Sequence, residues 1–226
     1  MLTKIKHLKH LRKIRREKPD YWHLPKDGLG YIQIPKVASR SIRIALISHL
    51  SSQDASNFSK EEIKKYTNVY SSHISQSDIF NQTSKAFIFS FVRHPYQRIW
   101  SCYKNKISST KITKNLFACH NISLQDNFDT FVDKICEIPD SEADRDFRSQ
   151  SWFLMNGDTV IPNFVGKLET IQKDWKTISN QFDLPEIPHR NATEKSYEVS
   201  NRNKTLIQQR YQSDFTNLPR SILINI

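Results

Sequence analysis

The sequence predicts an α/β fold in which a mainly parallel central sheet is flanked by helices. Residues 86–92, AFIFSFV, form a nearly unbroken run of β-forming residues, which is typical of a parallel strand buried on both faces. A second apolar segment, residues 30–34, stops at Pro35 and is followed by a helical pattern. Strand and helix patterns then alternate along the chain, and such alternation favours a parallel sheet.

The remaining elements follow from periodicity and from breaker residues. Helices are predicted at 1–18, 41–50, 95–103, 128–135, 170–182 and 204–211, and strands at 69–72 and 163–168. Residues 19–30 and 51–60 are predicted to be connections, because the first is rich in Pro and Gly and the second is polar. At 226 residues the chain suits one domain with a substantial core. We expect a basic N-terminal helix and connection at 1–28 and one domain at 29–226.

The net charge of +11 indicates that the preferred partners are anionic, but it does not choose among nucleic acid, a membrane surface, an acidic polysaccharide and a phosphorylated cofactor.

The N-terminal helix carries apolar residues at every third position among Lys, Arg and His, at Ile5, Leu8, Leu11 and Ile14. We favour a helix that packs on the domain through this stripe. Docking on an anionic membrane or glycan is the alternative. No run of eighteen apolar residues predicts a membrane span.

The cysteines and the histidines do not predict a metal site. Cys102, Cys119 and Cys136 are widely spaced, without a CxxC pair, and their odd number gives no disulfide framework. A reducing compartment is the simpler interpretation.

The turn after the first predicted strand has the layout of an anion-binding loop. It comprises Pro35, Lys36, Val37, Ala38, Ser39, Arg40 and Ser41. Backbone N–H groups at a helix start are unpaired and attract phosphate or sulfate, and Lys36 adds a mobile positive charge. A nucleotide-triphosphate loop would read GxxxxGK[ST], whereas the four glycines of this chain lie outside the turn, which argues against a nucleotide kinase or NTPase. In isolation the segment is better explained as an ordinary strand end at which Ser39 caps a helix, because such strand ends are common.

A second anion-binding segment, FVRHPYQRIWSCY at residues 91–103, follows the strongest strand. Arg93 stands at the carboxyl end of that strand, where open parallel sheets bind ligands, and a guanidinium can hold a phosphate with two hydrogen bonds. Ser101 lies on the following helix and shares a face with Arg98. Two anion sites at the ends of two strands suit a ligand with phosphates at both ends of a ribose. The alternatives are a salt bridge for Arg93, a structural role for Arg98 and a small helix residue at Ser101.

Together the two segments resemble the carbohydrate sulfotransferases, the group that includes the chondroitin, HNK-1 and heparan 2-O enzymes and their bacterial relatives. IPKVASRS is similar to the family's 5′-phosphosulfate loop, usually PKVACT or PKTGGTS, and the second segment resembles its 3′-phosphate segment, typically VRDPFERLVSAY. Residues 163–170, 191–193 and 211–215 resemble the family's late strand, Asn-x-Ser/Thr loop and closing helix. The resemblance covers about residues 30–218.

The resemblance implies a three-layer fold similar to that of P-loop nucleotide kinases. It implies 3′-phosphoadenosine 5′-phosphosulfate (PAPS) as donor, no metal, and transfer to a hydroxyl or amine of a glycan or glycolipid acceptor in polysaccharide biosynthesis. The residues that it assigns to the 5′ end of the donor are Lys36, Val37, Ala38, Ser39, Arg40 and Ser41, and those for the 3′-phosphate are Arg93 and Ser101. Arg40 stands where the family usually has Thr. This departure puts the family's hydroxyl contact in question, although the arginine can still pair with the anion.

The resemblance also suggests how transfer proceeds. Lys36 stabilises the leaving phosphate oxygen, and a base accepts the proton of the acceptor hydroxyl. His73 is the first candidate base, because VYSSHI resembles the family's GH(I/V) segment; a surface or hydrogen-bonded core histidine is the alternative. Asp146 is the second candidate, because DFRSQS resembles a segment often written HFRPQS, with aspartate in place of the histidine. Either a carboxylate acts as the base there, or this position is not the base. Arg148 and Gln150 in that segment are predicted to orient the acceptor, or else to be solvated loop residues.

The family resemblance also bears on where the protein acts, and the positive charge allows a different function. Golgi members of the family begin with a membrane anchor and this chain shows none, so we expect a bacterial, cytoplasmic enzyme. In the alternative in which the N-terminal helix docks on an anionic membrane, the basic N-terminus makes a peripheral contact to the inner membrane. Nucleic acid is not expected as a partner. The rival outside the enzymes is a basic nucleic-acid-binding module, which would bind DNA or RNA with a steep salt dependence that does not involve Arg93 in particular.

Overall fold

The structure is a computed structural model that describes residues 2–188, apart from 111 and 113, and residues 198–218. Its α-helices are α1 Leu2–Arg15, α2 Ser39–Ser51, α3 Lys60–Tyr70, α4 Gln76–Phe80, α5 Pro95–Lys106, α6 Phe128–Cys136, α7 Gln150–Leu154, α8 Ile171–Phe182, α9 Asn201–Arg210 and α10 Gln212–Asn217. Its strands are β1 Asp20–Leu24, β2 Leu29–Gln33, β3 Ser71–His73, β4 Phe87–Val92, β5 Met155–Asn156, β6 Thr159–Val160 and β7 Phe164–Lys167. Among these helices none is long and apolar enough to cross a membrane.

The described residues divide into two compact units. The first, which we call the sheet unit, contains residues 18–93 and 153–188. The second, which we call the helical unit, contains residues 2–17, 94–152 and 198–218. The division at residue 28 that the sequence suggested stays a prediction.

The sheet unit is built on a five-stranded sheet with the strand order β3-β1-β2-β4-β7. The strands β2, β4 and β7 are parallel neighbours, whereas β1 runs antiparallel to both β2 and β3. Because β1 alone opposes the other four, the sheet is mainly parallel, and the predicted α/β fold class is confirmed. The residues of β4 after Phe87 are all buried, as expected for a strand covered on both faces.

Aromatic packing attaches α8 to the sheet. The ring of Trp175 lies 6.2 Å from those of both Phe89 and Phe91, which project from the same face of β4. Gly166 on β7 makes this packing possible, because a Cβ at that position would lie 2.4 Å from the ring of Phe91. A side chain at residue 166 would therefore displace a core ring.

The predicted connection at residues 19–30 contains a strand, so that prediction was wrong, and a helix that was not predicted follows the connection at residues 51–60. Residues 20–24 form β1. This strand was missed because Pro19 and Pro25 flank it and leave a segment of only five residues between them. Residues 60–70 form α3, which begins with a capping box: Ser59 Oγ accepts from the N–H of Glu62, whose carboxylate accepts from the N–H of Ser59. The strand predicted at 69–72 is correspondingly shifted, because residues 69 and 70 complete α3 and β3 covers Ser71–His73.

The helical unit has its own apolar core, to which α5, α6 and α9 contribute. Its fully buried members include Ile99, Cys102, Phe131, Val132, Ile135, Phe147 and Ile207. The hydroxyl of Tyr211 donates to the backbone oxygen of Phe147 at 2.5 Å. The carboxylate of Asp214 accepts from the backbone N–H groups of Gln150 and Ser151 at 3.0 and 2.7 Å, which joins α10 to α7.

Candidate active site

The turn between β2 and α2 has a backbone conformation that residues with side chains rarely adopt. Lys36 has φ of 71° and Ala38 has φ of 59°, both in the left-handed region. This region costs about 1–2 kcal/mol for each residue that carries a Cβ. Ile34 and Val37, both fully buried, hold the turn against the core. Strain of this kind persists where the surrounding structure enforces it, and it is concentrated at ligand-binding sites.

The first turn of α2 presents backbone N–H groups that the helix itself does not use. Ala38 is the N-cap residue and makes no side-chain hydrogen bond to the helix. The first helical bond runs from the N–H of Ile42 to the oxygen of Ala38 at 3.1 Å. The three preceding amides therefore have no partner within the helix; they belong to Ser39, Arg40 and Ser41. With the positive end of the helix dipole, they suit a phosphate or sulfate group.

Arg93 follows the strand next to this turn. In the parallel register of β2 and β4, Ile32 lies opposite Ser90, and the Ser90 hydroxyl donates to the Ile32 oxygen at 2.7 Å. Three residues later the two strands have become Pro35 and Arg93. Because carboxyl ends of parallel strands meet at one edge, the turn 34–38 and Arg93 lie at the same edge of the sheet. The arginine is only 8% exposed.

His73 ends the row of side chains that crosses β3, β1 and β2 near this edge. In the sheet register Asp20 lies opposite both His73 and Gln33. Asp20 Oδ1 lies 2.7 Å from Nδ1 of His73, and Asp20 Oδ2 accepts from Nε2 of Gln33 at 2.9 Å. The His73 side chain is 70% exposed, whereas that of Asp20 is 10% exposed. A largely buried carboxylate thus holds one nitrogen of an accessible imidazole.

The sequence predicted His73 as a candidate base but gave no indication of its neighbours Asp20 and Gln33. Asp20 belongs to β1, which was predicted to be part of a connection. The short run of β-forming residues after it, Tyr21 and Trp22, was the only local signal of a strand. The pairing with residue 73 depends on contact across more than fifty residues of sequence, and no local pattern reports such a contact.

In the helical unit, α5 carries Arg98 and Ser101, the two polar residues that were predicted to share a face of the helix after Arg93. Arg98 is 1% exposed and donates to the backbone oxygens of Arg148 and Arg145 at 2.6 and 3.2 Å. These contacts confirm the structural role proposed for it. Ser101 is also buried. Its backbone carbonyl oxygen accepts a hydrogen bond from Asn105 Nδ2 at 2.9 Å. The assignment of Ser101 to a phosphate stays a prediction.

His94 is the N-cap residue of α5, but its side chain does not cap the helix. Its ring packs against Tyr96 and Phe215, with centroids 4.6 and 5.8 Å apart. Burial, assisted by the charge of Lys204, lowers the pKa of His94 to about 4. The imidazole is therefore neutral at pH 7 and serves as a packing group.

The segment around Asp146 is held by ion pairs and backbone contacts. Asp146 Oδ2 lies 2.7 Å from Nζ of Lys106, and the two side chains are 14% and 28% exposed. Arg148 is 1% exposed, stacks on Trp152 at 4.1 Å, and donates to the backbone oxygens of Ala143 and Ile14. These contacts connect α1 with the segment.

Gln150 is likewise 1% exposed, and both its N–H and its side-chain Nε2 contact the carboxylate of Asp214. The acceptor-binding roles predicted for Arg148 and Gln150 stay predictions. The Asn-x-Thr segment at residues 191–193 lies outside the described residues.

Comparison with known proteins gives one match. A family model described as "Sulfotransferase family" matches residues 19–224. No curated protein and no solved structure matches this chain. The matched range includes the strained turn, Arg93, Asp20 and His73.

Proposed function

The chain belongs to the sulfotransferase family, and from that membership we propose that it transfers a sulfuryl group from PAPS to a hydroxyl or amine of a carbohydrate acceptor. One observation carries the donor assignment. The strained turn after β2 and Arg93 after β4 follow neighbouring parallel strands at one sheet edge. Two separated anion-binding groups at that edge match a nucleotide with phosphates at its 3′ and 5′ positions.

The 5′ end of the donor is proposed to bind at the turn. The amides in the first turn of α2, which no side chain of the N-cap residue caps, bind its phosphosulfate oxygens. The left-handed backbone at residues 36 and 38 is typical of a nest, a concave turn whose successive backbone N–H groups point at one bound anion. Lys36 contributes a full positive charge. Ser39, Arg40 and Ser41 supply further donors.

The 3′-phosphate is proposed to bind to Arg93. Its guanidinium is largely removed from water, which strengthens a charge-assisted pair with a phosphate. Ser101 is proposed to add a hydroxyl to the same phosphate, an assignment that rests on the sequence alone. A donor with only a 5′-phosphate would lose these contacts, so the arrangement favours PAPS over ATP.

Transfer is proposed to use His73 as the base. The donor supplies the sulfuryl group and leaves as 3′,5′-adenosine diphosphate. His73 accepts the acceptor's proton at Nε2, since its Nδ1 faces Asp20. Lys36 and the loop amides stabilise the negative charge that grows on the leaving phosphate oxygen. Asp146 remains the alternative base, although its carboxylate is already paired with Lys106.

The N-terminal helix is proposed to contact an anionic membrane, where a lipid-linked acceptor would be presented. Ile14 is buried, but Ile5 and Leu8 are 43% and 57% exposed, on a helix whose last turn carries Arg12, Lys13 and Arg15. Exposed apolar residues among cations favour binding at a lipid surface. Sedimentation with vesicles should therefore require anionic lipid and should weaken in an Ile5→Asp, Leu8→Asp variant. The bacterial, cytoplasmic setting is part of the same proposal.

The proposal is tested by following the sulfur. The protein is incubated with ³⁵S-labelled PAPS and with polysaccharide or lipid-linked glycan fractions, and the label is then located in the acceptor. Label in a glycan supports the full proposal, whereas label confined to a non-carbohydrate acceptor would keep the reaction and reject the acceptor class. Parallel reactions with γ-³²P-labelled ATP should give no transfer. Phosphate transfer without sulfate transfer would replace the proposal with a kinase-like activity.

A further inference from the structure

Three polar side chains from three strands form a continuous hydrogen-bonded row in the sheet unit. His73 on β3, Asp20 on β1 and Gln33 on β2 lie opposite one another in the antiparallel registers. Directly opposed residues of antiparallel strands project from the same face, so the row occupies one face of the sheet. Gln33 is the last residue of β2, and the strained turn begins directly after it. The row therefore ends beside the proposed donor site.

The geometry assigns a defined orientation to the imidazole. Asp20 Oδ1 lies 2.7 Å from His73 Nδ1. An ionised carboxylate only accepts hydrogen bonds, so Nδ1 must carry the proton and Nε2 is left with its lone pair. The other oxygen of Asp20 accepts from Gln33 at 2.9 Å, which fixes the plane of the carboxylate. Since the side chain of Asp20 is only 10% exposed, water competes weakly for it.

We propose that Asp20 is the positioning residue of this sulfotransferase and that it holds His73 in the tautomer whose Nε2 accepts the acceptor's proton. Gln33 holds Asp20 in turn. This inference rests on the proposed function, because it presumes that His73 is the base. Asp20 also stabilises the imidazolium that exists once the proton has moved, since the carboxylate charge faces the protonated ring.

A second carboxylate–imidazole pair in the same unit provides a matched control. His49 Nε2 lies 3.1 Å from Asp27 Oδ1, and both side chains are partly exposed. Asp27 belongs to the turn that joins β1 to β2, at the end of this hairpin opposite to Asp20 and Gln33. The substitution Asp27→Asn therefore removes a carboxylate from a histidine without touching the proposed site.

The first test measures the tautomer without any substrate. The ¹⁵N shifts of the imidazole nitrogens are recorded by NMR at pH 8.5 for the wild-type protein and for Asp20→Ala. We expect Nδ1–H at His73 in the wild type and a predominance of Nε2–H, the form that an unconstrained histidine side chain prefers in water, in the variant. The same tautomer in both proteins would overturn the proposal.

The second test measures turnover of labelled PAPS with Asp20→Asn, which keeps the volume and can still accept a hydrogen bond but carries no charge. We expect kcat to fall about 10- to 100-fold with KM for the donor unchanged, and Asp27→Asn to stay within about twofold of wild type. An unchanged kcat in Asp20→Asn would overturn the proposal. A fall in both variants would also overturn it, because it would indicate loss of stability. If PAPS is not a substrate, the proposed function fails, and the tautomer measurement alone decides whether Asp20 orients His73.

Discussion

The strained turn leads to a prediction whose sign is unusual: replacing Ala38 by glycine should stabilise the protein. Ala38 has φ of 59°, where a residue with a Cβ loses about 1–2 kcal/mol relative to its favoured conformations. Glycine removes that penalty but adds about 0.4–1 kcal/mol of unfolded-state entropy. At the middle of both ranges, the difference leaves a gain of about 0.8 kcal/mol. For a chain of this size this corresponds to a rise in Tm of about 1–4 °C.

A control in the same helix should show the opposite sign. Ala45 lies in the middle of α2 and is 1% exposed, so Ala45→Gly loses helix propensity and a buried methyl group and should destabilise by at least about 1 kcal/mol. Thermal unfolding by calorimetry measures both variants without ligand. A lower Tm for Ala38→Gly would refute the inference that the turn is strained. Equal losses in the two variants would lead to the same conclusion.

Three further predictions concern Arg98, His94 and the two candidate bases. Arg98→Met should lower the free energy of unfolding by about 2–4 kcal/mol in a urea titration, because it leaves two backbone oxygens unpaired in the helical unit; an unchanged midpoint would contradict the role given to Arg98. Burial, with the charge of Lys204, lowers the pKa of His94 to about 4, whereas an unfolded histidine has a pKa of about 6.5. Between these values only the unfolded chain takes up the proton, so the free energy of unfolding decreases as the pH falls from about 6.5 towards 4. His94→Gln should lose less stability over this range, and parallel pH profiles for the two proteins would count against the assignment. His73→Ala should lower turnover of labelled PAPS at least about 100-fold, whereas Asp146→Asn should stay within about tenfold of wild type; the reverse order would make Asp146 the base.

The positions of the two segments proposed to bind anions could be predicted because their signals are local. The observed β2 and β4, Leu29–Gln33 and Phe87–Val92, differ by one residue from the predicted strands at each boundary that moved. Each is an apolar run ended by a Pro-containing turn, and both the strand and the stop are written in neighbouring residues. The helix starts after them follow from the same signals.

The left-handed turn and the row through Asp20 could not be predicted in this way. Glycine normally marks left-handed positions, but here they are occupied by Lys36 and Ala38, and only the packing around them fixes the backbone. Asp20 acquires its partners because β1 pairs with β3 on one side and with β2 on the other. Such pairing is decided by tertiary contacts rather than by propensity.

The central claim, that one nucleotide is held at both phosphates by the turn after β2 and by Arg93, is tested most directly with a ligand cycle. Affinities of 3′,5′-adenosine diphosphate and adenosine 5′-phosphate are measured by calorimetry for the wild type and for Arg93→Met. A charge-assisted pair worth about 1.5–3 kcal/mol predicts that the variant binds the diphosphate about 10- to 150-fold more weakly. The monophosphate, which lacks the 3′ group, should bind within about threefold of wild type. If Arg93→Met weakens both nucleotides equally, or weakens neither, Arg93 does not bind the 3′-phosphate and the account is contradicted.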